Sequence, residues 1–115
     1  MEMETFTNPI TGETIQVAMK DFPEKLTWQE AMDACRELGG GWRLPTRFEL
    51  TEMFYQLMKS DKGGFDADTY WSSTEYNSGG ERGAWAQYFF ENEQDGREYK
   101  YRYSDELRVR AVRTL

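Results

Sequence analysis

Residues 27–59 decide the fold of this chain and read TWQEAMDACRELGGGWRLPTRFELTEMFYQLMK. The pattern Thr-x-x-Glu occurs twice in this stretch, at Thr27–Glu30 and at Thr46–Glu49. In such a capping box the hydroxyl and the carboxylate each accept a hydrogen bond from a backbone amide that the start of a helix leaves unpaired. Apolar residues follow each box at helical spacing, so the stretch predicts two amphipathic helices.

A rigid elbow, GGGWRLP at residues 39–45, joins the two predicted helices. Its glycines end the first helix because glycine adopts the left-handed conformation without strain, and Pro45 keeps the preceding residue extended. We expect Arg43 to pair with a carboxylate such as Glu49 or Glu75. The buried stripes are expected to be Trp28, Ala31, Met32, Cys35 and Leu38 on the first helix and Phe48, Leu50, Met53, Phe54 and Leu57 on the second.

The segments on either side of the helices have the two-residue period of β-strands. A tyrosine at every second position of REYKYRY, residues 97–103, is one example. The predicted strands are a hairpin at 4–19 and single strands at 69–74, 84–91, 97–103 and 107–113. Glycine, asparagine and serine predict a loop at 75–83, and Asp95-Gly96 predicts a hairpin turn at 92–96.

Composition bounds the class of protein. A length of 115 residues fits one domain, residues 1–115, and 16% aromatic residues provide an interior for it. No apolar run approaches the roughly 18 residues of a membrane span. The N-terminus, MEMETFTNP, has no signal-peptide pattern, which favours a cytoplasmic location.

The charge is negative overall and unevenly distributed. A net charge of -7 argues against binding to the backbone of a nucleic acid. Six basic residues nevertheless lie in the last 19 positions, namely Arg97, Lys100, Arg102, Arg108, Arg110 and Arg113. They can pair across strands or form a local anion-binding patch. The partners expected for pairing are Glu91, Glu93, Asp95 and Glu98.

One cysteine, Cys35, and the absence of histidine limit the chemistry. An internal disulfide, a zinc site, a Cys-His nucleophile and a Ser-His-Asp triad all need residues that the chain lacks. We therefore expect no enzyme and no cofactor, with Cys35 as a small core residue. A metal-assisted alternative stays open, since Asp66 and Asp68 with Glu75 or Asn77 would supply oxygen ligands.

Short motifs at the junctions of these segments resemble one known family. They are W-x-x-A-x-x-x-C at 28–35, G-G-x-x-x-L-P-T at 39–46, E-L at 49–50, Y-W-S-S-T-E at 70–75, A-W at 84–85 and V-R-A-V-R at 109–113. In this order they resemble the bacterial and phage domain family found at the C-terminus of collagen-like adhesins, which is similar to the major paralogous domain of Fibrobacter. The resemblance covers residues 26–113.

The resemblance implies a C-type-lectin-like fold of the α+β class. Two helices would pack on small antiparallel β-sheets, with the N- and C-terminal strands paired and long loops forming a ligand face. The Glu-Pro-Asn, Gln-Pro-Asp and Trp-Asn-Asp motifs with which animal C-type lectins bind sugar through calcium are absent from this sequence. Their disulfide and the paired cysteines of the related formylglycine-generating enzymes are also absent, so neither chemistry carries over.

The best candidate for ligand contact is the segment 75–85. It is polar and rich in glycine, with aromatic flanks, a composition that binding loops favour. The plain alternative is a solvated loop. Residues 70–75, YWSSTE, could form an aromatic platform for a glycan, but a strand that is half core and half surface is the favoured interpretation. Loops at 92–97 and 103–106 would complete the contact face. The predicted ligand-binding residues are Glu75, Tyr76, Asn77, Glu81, Arg82 and Trp85.

The sequence thus predicts a non-catalytic module that recognises a glycan or a protein. The alternative is an intracellular or phage-derived interaction protein that docks a protein partner through its acidic surface. Neither a nucleic acid nor a membrane is an expected partner, and homo-oligomer formation stays open.

Overall fold

A computed structural model describes residues 3–89 and 97–115 of the chain. Its elements are β1 (Thr5–Thr7), β2 (Thr14–Val17), α1 (Trp28–Glu37), α2 (Arg47–Gln56), a short 3-10 helix (Met58–Ser60), β3 (Asp68–Ser78), β4 (Glu81–Phe89), β5 (Arg97–Tyr101) and β6 (Val112–Thr114). The turn predicted at 92–96 lies outside the described residues. Within the described ranges, no helix has the length and apolar character that a membrane crossing requires.

The strands form two three-stranded antiparallel sheets, with the orders β1-β2-β6 and β3-β4-β5. The first sheet joins the N-terminal hairpin to the end of the chain, because β2 pairs with β6 and Gln16 lies opposite Arg113. The second sheet contains the two longest strands. Two helices with small antiparallel sheets confirm the predicted α+β class, and the predicted pairing of N- and C-terminal strands is also confirmed.

Both helices begin where the capping boxes predict. Thr27 and Thr46 are the N-caps, and each box has both of its hydrogen bonds. After α1 the chain reverses at Gly39, which has a φ of 71°. The prediction that Leu38 is buried was wrong, because 53% of it is exposed. At 100° per residue Leu38 falls at the margin of the apolar stripe, and α1 has already ended at Glu37.

The core consists of two clusters, one at each helix. The first joins Leu50, Met53 and Phe54 of α2, with the adjacent Leu57, to Tyr70 and Phe89 of the second sheet. The second joins Ala31 and Cys35 of α1 to Leu44, Trp71, Ala84 and Ala86. Full burial of a large apolar side chain contributes about 1.5–3 kcal/mol. Tyr70 and Trp71 are completely buried, so the start of β3 is core rather than an exposed aromatic platform.

The elbow is held by a charged pair that the sequence predicted. The guanidinium of Arg43 binds the carboxylate of Glu49 at 2.7 and 2.9 Å, and it also donates to Thr114 Oγ1 at 3.0 Å. Glu49 is 5% exposed. Arg43 therefore ties the start of α2 to the C-terminal strand.

The strand predicted at 107–113 is shorter than expected. β6 spans Val112–Thr114, and residues 107–111 instead contact the irregular segment 18–26. The amides of Leu26 and Phe22 donate to the carbonyls of Leu107 and Val109 at 2.9 Å. On its other side the segment meets β3 only at Arg108, whose amide and carbonyl bond to Thr69 and Trp71, so no regular ladder forms.

Arg110 is the most buried charged side chain described, with 1% of its surface exposed. Its Nε donates to Asp21 Oδ1 at 2.7 Å, and its terminal nitrogens donate to the carbonyls of Gly63 and Gly64 at 2.6 and 3.1 Å. Arg108 pairs with Asp66 and Asp68 in a similar way. Of the expected partners, only Glu98 is described, and it binds Arg47 instead of these two arginines. Three of those partners, Glu91, Glu93 and Asp95, lie outside the described residues.

Candidate functional site

The segment predicted as a loop at 75–83 is instead the tip of a β-hairpin. β3 continues to Ser78 and β4 begins at Glu81, and these two residues lie opposite each other in the register. Gly79 and Gly80 form the turn with φ values of 60° and 85°. Positive φ at both central residues is the type I′ pattern, whose twist matches that of the strands. The loop prediction was therefore wrong.

Gly83 belongs to β4 rather than to the turn. A Cβ at this position would collide with the backbone carbonyl of Tyr101, and it would lie 2.8 Å from the hydroxyl of Tyr76. Glycine is needed here so that β5 and the Tyr76 ring can approach the strand. A glycine inside a strand often marks such a close approach.

The strand register divides the predicted site residues between two faces of the hairpin. Successive residues of a strand point to opposite faces, and residues directly opposite each other share a face. Tyr76 faces Gly83, and Trp85 faces Lys100. One face therefore carries Tyr76, Glu81, Trp85 and Lys100, and the other carries Glu75, Asn77 and Arg82.

A cleft of about 580 Å³ lies between the tip of the hairpin and the chain that follows β5. It is lined by Tyr76, Glu81, Arg82, Lys100, Arg102, Tyr103, Ser104 and Asp105. The cleft brings together three of the six predicted residues and most of the predicted loop 103–106. Glu75, Asn77 and Trp85 do not line it.

Two cationic residues of the cleft, Lys100 and Arg102, were not among the predicted site residues. The sequence did contain a pattern that points to them. In residues 97–103 these two cations alternate with the tyrosines and so lie on the opposite face of the strand. That pattern supported an anion-binding patch, which was one of two open interpretations. What the pattern cannot show is that this strand ends beside the tip of the β3–β4 hairpin.

Trp85 is covered by cations and does not offer a free stacking surface. The guanidinium carbon of Arg47 lies 3.7 Å from the centre of its ring, and the ammonium of Lys100 lies 5.3 Å away. Arg47 is held in this position by Glu98, at 2.6 Å. Cation–π contacts of this kind contribute about 0.5–2 kcal/mol. Trp85 therefore acts as a support that orders Lys100 at the wall of the cleft.

Glu75 acts on the cleft indirectly, through Tyr103. The hydroxyl of Tyr103 donates to Glu75 Oε2 at 2.6 Å. This hydrogen bond raises the pKa of Tyr103, because the carboxylate favours the protonated hydroxyl. The Tyr103 ring also packs against Trp28 at the start of α1, with 5.0 Å between ring centres. Glu75 and Trp28 together fix one wall of the cleft.

The turn that follows β5 is closed by its own hydrogen bonds. The amide of Arg102 donates to Asp105 Oδ2 at 2.9 Å, and the amide of Asp105 donates to the carbonyl of Arg102 at 3.1 Å. The backbone of Tyr103 also accepts a hydrogen bond from the amide of Trp28. The cleft therefore has a preformed wall opposite the hairpin tip.

The charged groups of the cleft define what it can hold. Arg82 and Arg102 present planar guanidinium groups that match carboxylate or phosphate oxygens, and Lys100 supplies a compact positive charge. Glu81 adds an acceptor for hydroxyl or amide donors. This set of groups suits a polar ligand that forms several hydrogen bonds, rather than an apolar one.

The carboxylates of the metal-assisted alternative are occupied by cations. Asp68 lies 3.2 Å from Lys25 and 3.4 Å from Arg108, and Asp66 lies 3.6 Å from Arg108. Burial acts to raise the pKa of Asp68, but hydrogen bonds from the Thr69 amide and from Lys25 outweigh it and lower the pKa. Glu75 is engaged by Tyr103. Among residues 3–89 and 97–115, no three potential ligands come together as a metal site.

Comparison with known proteins places the chain in a family. No curated protein matches it. The model of the Lcl C-terminal domain, in contrast, matches residues 7–113, which include both helices, the second sheet and all the residues that line the cleft. The chain belongs to the Lcl C-terminal domain family.

Proposed function

We propose that this domain is a non-catalytic ligand-binding module, and that its ligand is a glycan or a protein segment. The observation that supports this most directly is the cleft beside the β3–β4 turn. Its lining combines three cationic side chains, two carboxylates and three hydroxyl groups, all supplied by strand ends or a closed turn. Binding sites typically place a few polar groups of this kind on a rigid support.

The resemblance described above supports the same proposal. It extends the family assignment to domains at the C-terminus of collagen-like adhesins and to a C-type-lectin-like fold. In that fold the ligand face lies on the second sheet and its connections. That β3, β4, β5 and the chain after β5 supply the walls of the cleft supports this proposal.

The absence of catalysis is part of the proposal. The cleft residues are Tyr, Glu, Arg, Lys, Ser and Asp, and its serine has no histidine in the sequence to act as a base. The Asp105 carboxylate is used by the turn. Recognition through hydrogen bonds and charge, without a chemical step, is the function that this set fits best.

Binding to an array of acidic, neutral and amino sugars, and to a peptide library, tests the proposal. The two probe variants are Arg82→Ala and Tyr76→Ala. Arg36→Ala is the matched control, because Arg36 is an exposed arginine on α1 whose side chain is 71% exposed and does not line the cleft. Loss of one charge-assisted contact should weaken binding at least about tenfold, since such contacts contribute about 1.5–3 kcal/mol.

The result identifies the ligand class as well as the site. Binding to an array member that falls with Arg82→Ala and Tyr76→Ala, but not with Arg36→Ala, supports the proposal. Unchanged binding in both cleft variants would contradict it.

The net charge of -7 favours one second candidate, a protein that docks a basic partner through its acidic surface. Binding in that case would weaken with salt and would be insensitive to Arg82→Ala. A pull-down at low and high ionic strength, repeated with Arg82→Ala, separates the two functions.

A further inference from the structure

β5 is an edge strand of the second sheet. It pairs with β4 on one side, from Ala84–Tyr101 to Tyr88–Arg97. On its other side, the described ranges supply no backbone hydrogen bond to residues 98–101. Such an edge has a row of amide and carbonyl groups that a further strand can bind.

The sequence of β5 is complementary to itself. Glu98, Tyr99 and Lys100 place an acid and a base symmetrically about an aromatic residue. When two copies of an antiparallel strand pair around a two-fold axis at Tyr99, each Glu98 lies opposite Lys100 of the second copy. The two Tyr99 side chains then lie opposite each other. Opposite charges and aromatic pairs at directly opposed positions each contribute about 0.2–1 kcal/mol.

This pairing does not depend on which residues of β5 direct their backbone groups outward. In an antiparallel pair, hydrogen-bonded and non-hydrogen-bonded pairs alternate along the strands. If Tyr99 points its amide inward, the Glu98–Lys100 pairs exchange the hydrogen bonds. If it points its amide outward, the Tyr99 pair does so. Both patterns keep the two-fold axis at Tyr99.

The side chains concerned are placed to take part. Tyr99 is 42% exposed, and Lys100 is exposed. Glu98 and Lys100 share the face of Trp85 and Gln87, because they lie opposite these residues in β4. Glu98 already binds Arg47 through Oε2, and its Oε1 lies 3.5 Å from Thr51 Oγ1, which makes this a weak contact. A carboxylate has enough lone pairs to accept a second cation at that oxygen.

We propose that the outer edge of β5 is a self-association surface, through which two copies of this chain join their second sheets into one antiparallel sheet. This inference is independent of the proposed ligand. A lysine on an edge strand on its own protects against pairing, because a new strand would bury its charge. Here Glu98 of the second copy neutralises that charge. Lys100 therefore selects a second copy of this chain as the partner and fixes the register of the two strands.

The dimer would bring two clefts onto one sheet. Lys100 lines the cleft of its own copy and lies next to the shared edge. A repeating ligand could then engage both clefts of one dimer, which raises apparent affinity without a new contact. The two-fold symmetry makes the interface isologous, so the association closes at two copies.

Sedimentation velocity of the full chain over a range of concentrations is the first test. A monomer–dimer equilibrium is expected, with hydrogen exchange of the amides of residues 98–101 slowing as the dimer forms. A chain that stays monomeric up to millimolar concentration overturns the proposal. So does a dimer in which the exchange of these amides is unchanged.

Charge reversal tests the register. Lys100→Glu places Glu98 opposite a glutamate in the second copy, and Glu98→Lys places two lysines opposite each other. Each variant alone should lower the association constant at least about tenfold, because two attractive pairs become repulsive. An equimolar mixture of the two variants should restore the dimer, because every pair in the mixed dimer is attractive. Lys62→Glu, an exposed lysine away from β5, is the control and should associate like the natural chain.

Glu98→Lys also repels Arg47, so two variants at Tyr99 test the dimer without changing Glu98. Tyr99→Lys places two like charges at the two-fold axis, and Tyr99→Phe keeps the aromatic pair. The first should abolish the dimer and the second should retain it, with circular dichroism confirming the fold of each. Equal association of Tyr99→Lys and Tyr99→Phe, or of Lys100→Glu and the natural chain, overturns the proposal.

Discussion

Glu49 combines two structural roles in one buried carboxylate. It accepts the amide of Thr46 at 2.8 Å and completes the capping box of α2. It binds the two terminal nitrogens of Arg43, which also reaches Thr114. Burial acts to raise its pKa, but the hydrogen bonds from Arg43 and Thr46 outweigh burial, and the pKa is lowered.

Glu49→Gln should therefore lower the free energy of unfolding by about 2–4 kcal/mol near neutral pH, because a bound charge pair is lost. The contribution of Glu49 is fully present above its unfolded pKa of about 4.3 and is lost as the pH falls through its lower folded pKa. The difference between the variant and the natural chain should thus shrink in acid. Urea unfolding at about pH 7 and about pH 3 measures it.

Glu30→Gln is the matched control, since Glu30 holds the same capping-box position in α1 but is exposed and binds no arginine in the part of the chain that the structure describes. Its effect on unfolding should be much smaller. Equal losses for the two variants would show that the cap, and not Arg43, accounts for the effect.

Cys35 should be unreactive in the folded chain. Its side chain is fully buried, and burial raises the pKa of the thiol to about 12. Alkylation needs the thiolate, so iodoacetamide should label Cys35 at the rate at which the chain unfolds. Mass spectrometry after timed labelling, with and without urea, gives that rate. Rapid labelling without urea would contradict the burial of this face of α1.

At the residue scale, the sequence predicts interactions between near neighbours. Thr46 and Glu49 lie three positions apart, and Arg43 lies six positions from Glu49. Helix geometry brings Thr46 and Glu49 together, and the short elbow keeps Arg43 close to the start of α2. The contacts of Arg110 could not be predicted in this way, because its partner Asp21 is 89 positions away in sequence. A buried arginine in an alternating segment looks like a surface residue until its partners are known.

Among the elements, the β3–β4 hairpin depends on a turn that few residues can form. Gly80 has a φ of 85°, and a Cβ there would meet no other atom. Gly80→Ala should lower the free energy of unfolding by about 1–2 kcal/mol through backbone conformation alone. Gly80→Asn should cost less, because asparagine tolerates positive φ. Thermal melts rank the two, and equal melting temperatures would contradict a turn of this type.

Regular periodicity made the helices and the first hairpin predictable. The segment 75–83 was misjudged because its glycines serve two purposes. Gly79 and Gly80 make the turn, whereas Gly83 allows a close approach within the strand. Composition cannot separate these roles. The C-terminal segment was misjudged for another reason, since its alternation is satisfied against an irregular segment at 18–26.

On the scale of the whole molecule, Arg110 connects three distant parts of the chain. It reaches Asp21 before α1, the carbonyl of Ala18, and the carbonyls of Gly63 and Gly64 after α2. Arg110→Lys should lower the free energy of unfolding by about 3 kcal/mol. One ammonium group cannot make all the hydrogen bonds of the forked guanidinium, so some carbonyls would stay unpaired. Urea unfolding measures this loss.

Arg113→Lys is the control for Arg110→Lys. Arg113 lies three residues later, is only half-buried, and donates to Gln16 while stacking on Trp42. Its replacement should cost clearly less. Similar losses at the two positions would show that burial of the Arg110 fork adds little.

The cleft is a property of the whole molecule, which limits how much of it the sequence could predict. Tyr76, Glu81 and Arg82 were predicted from composition, and the turn at 103–106 from its polar residues. Their meeting depends on β4 lying between β3 and β5 in one register. That register follows from long-range pairing and from Gly83, neither of which local patterns reveal.

The first sheet has a mechanical consequence. β1 and β6 both run antiparallel to β2, one on each side, so they run parallel to each other. Tension applied between Thr5 and Thr114 therefore pulls along the strands and in opposite directions. Each pair carries the full force in shear, and the hydrogen bonds within a pair share it, whereas peeling would break them one at a time. A domain stretched through these two strands should hold its shape under load.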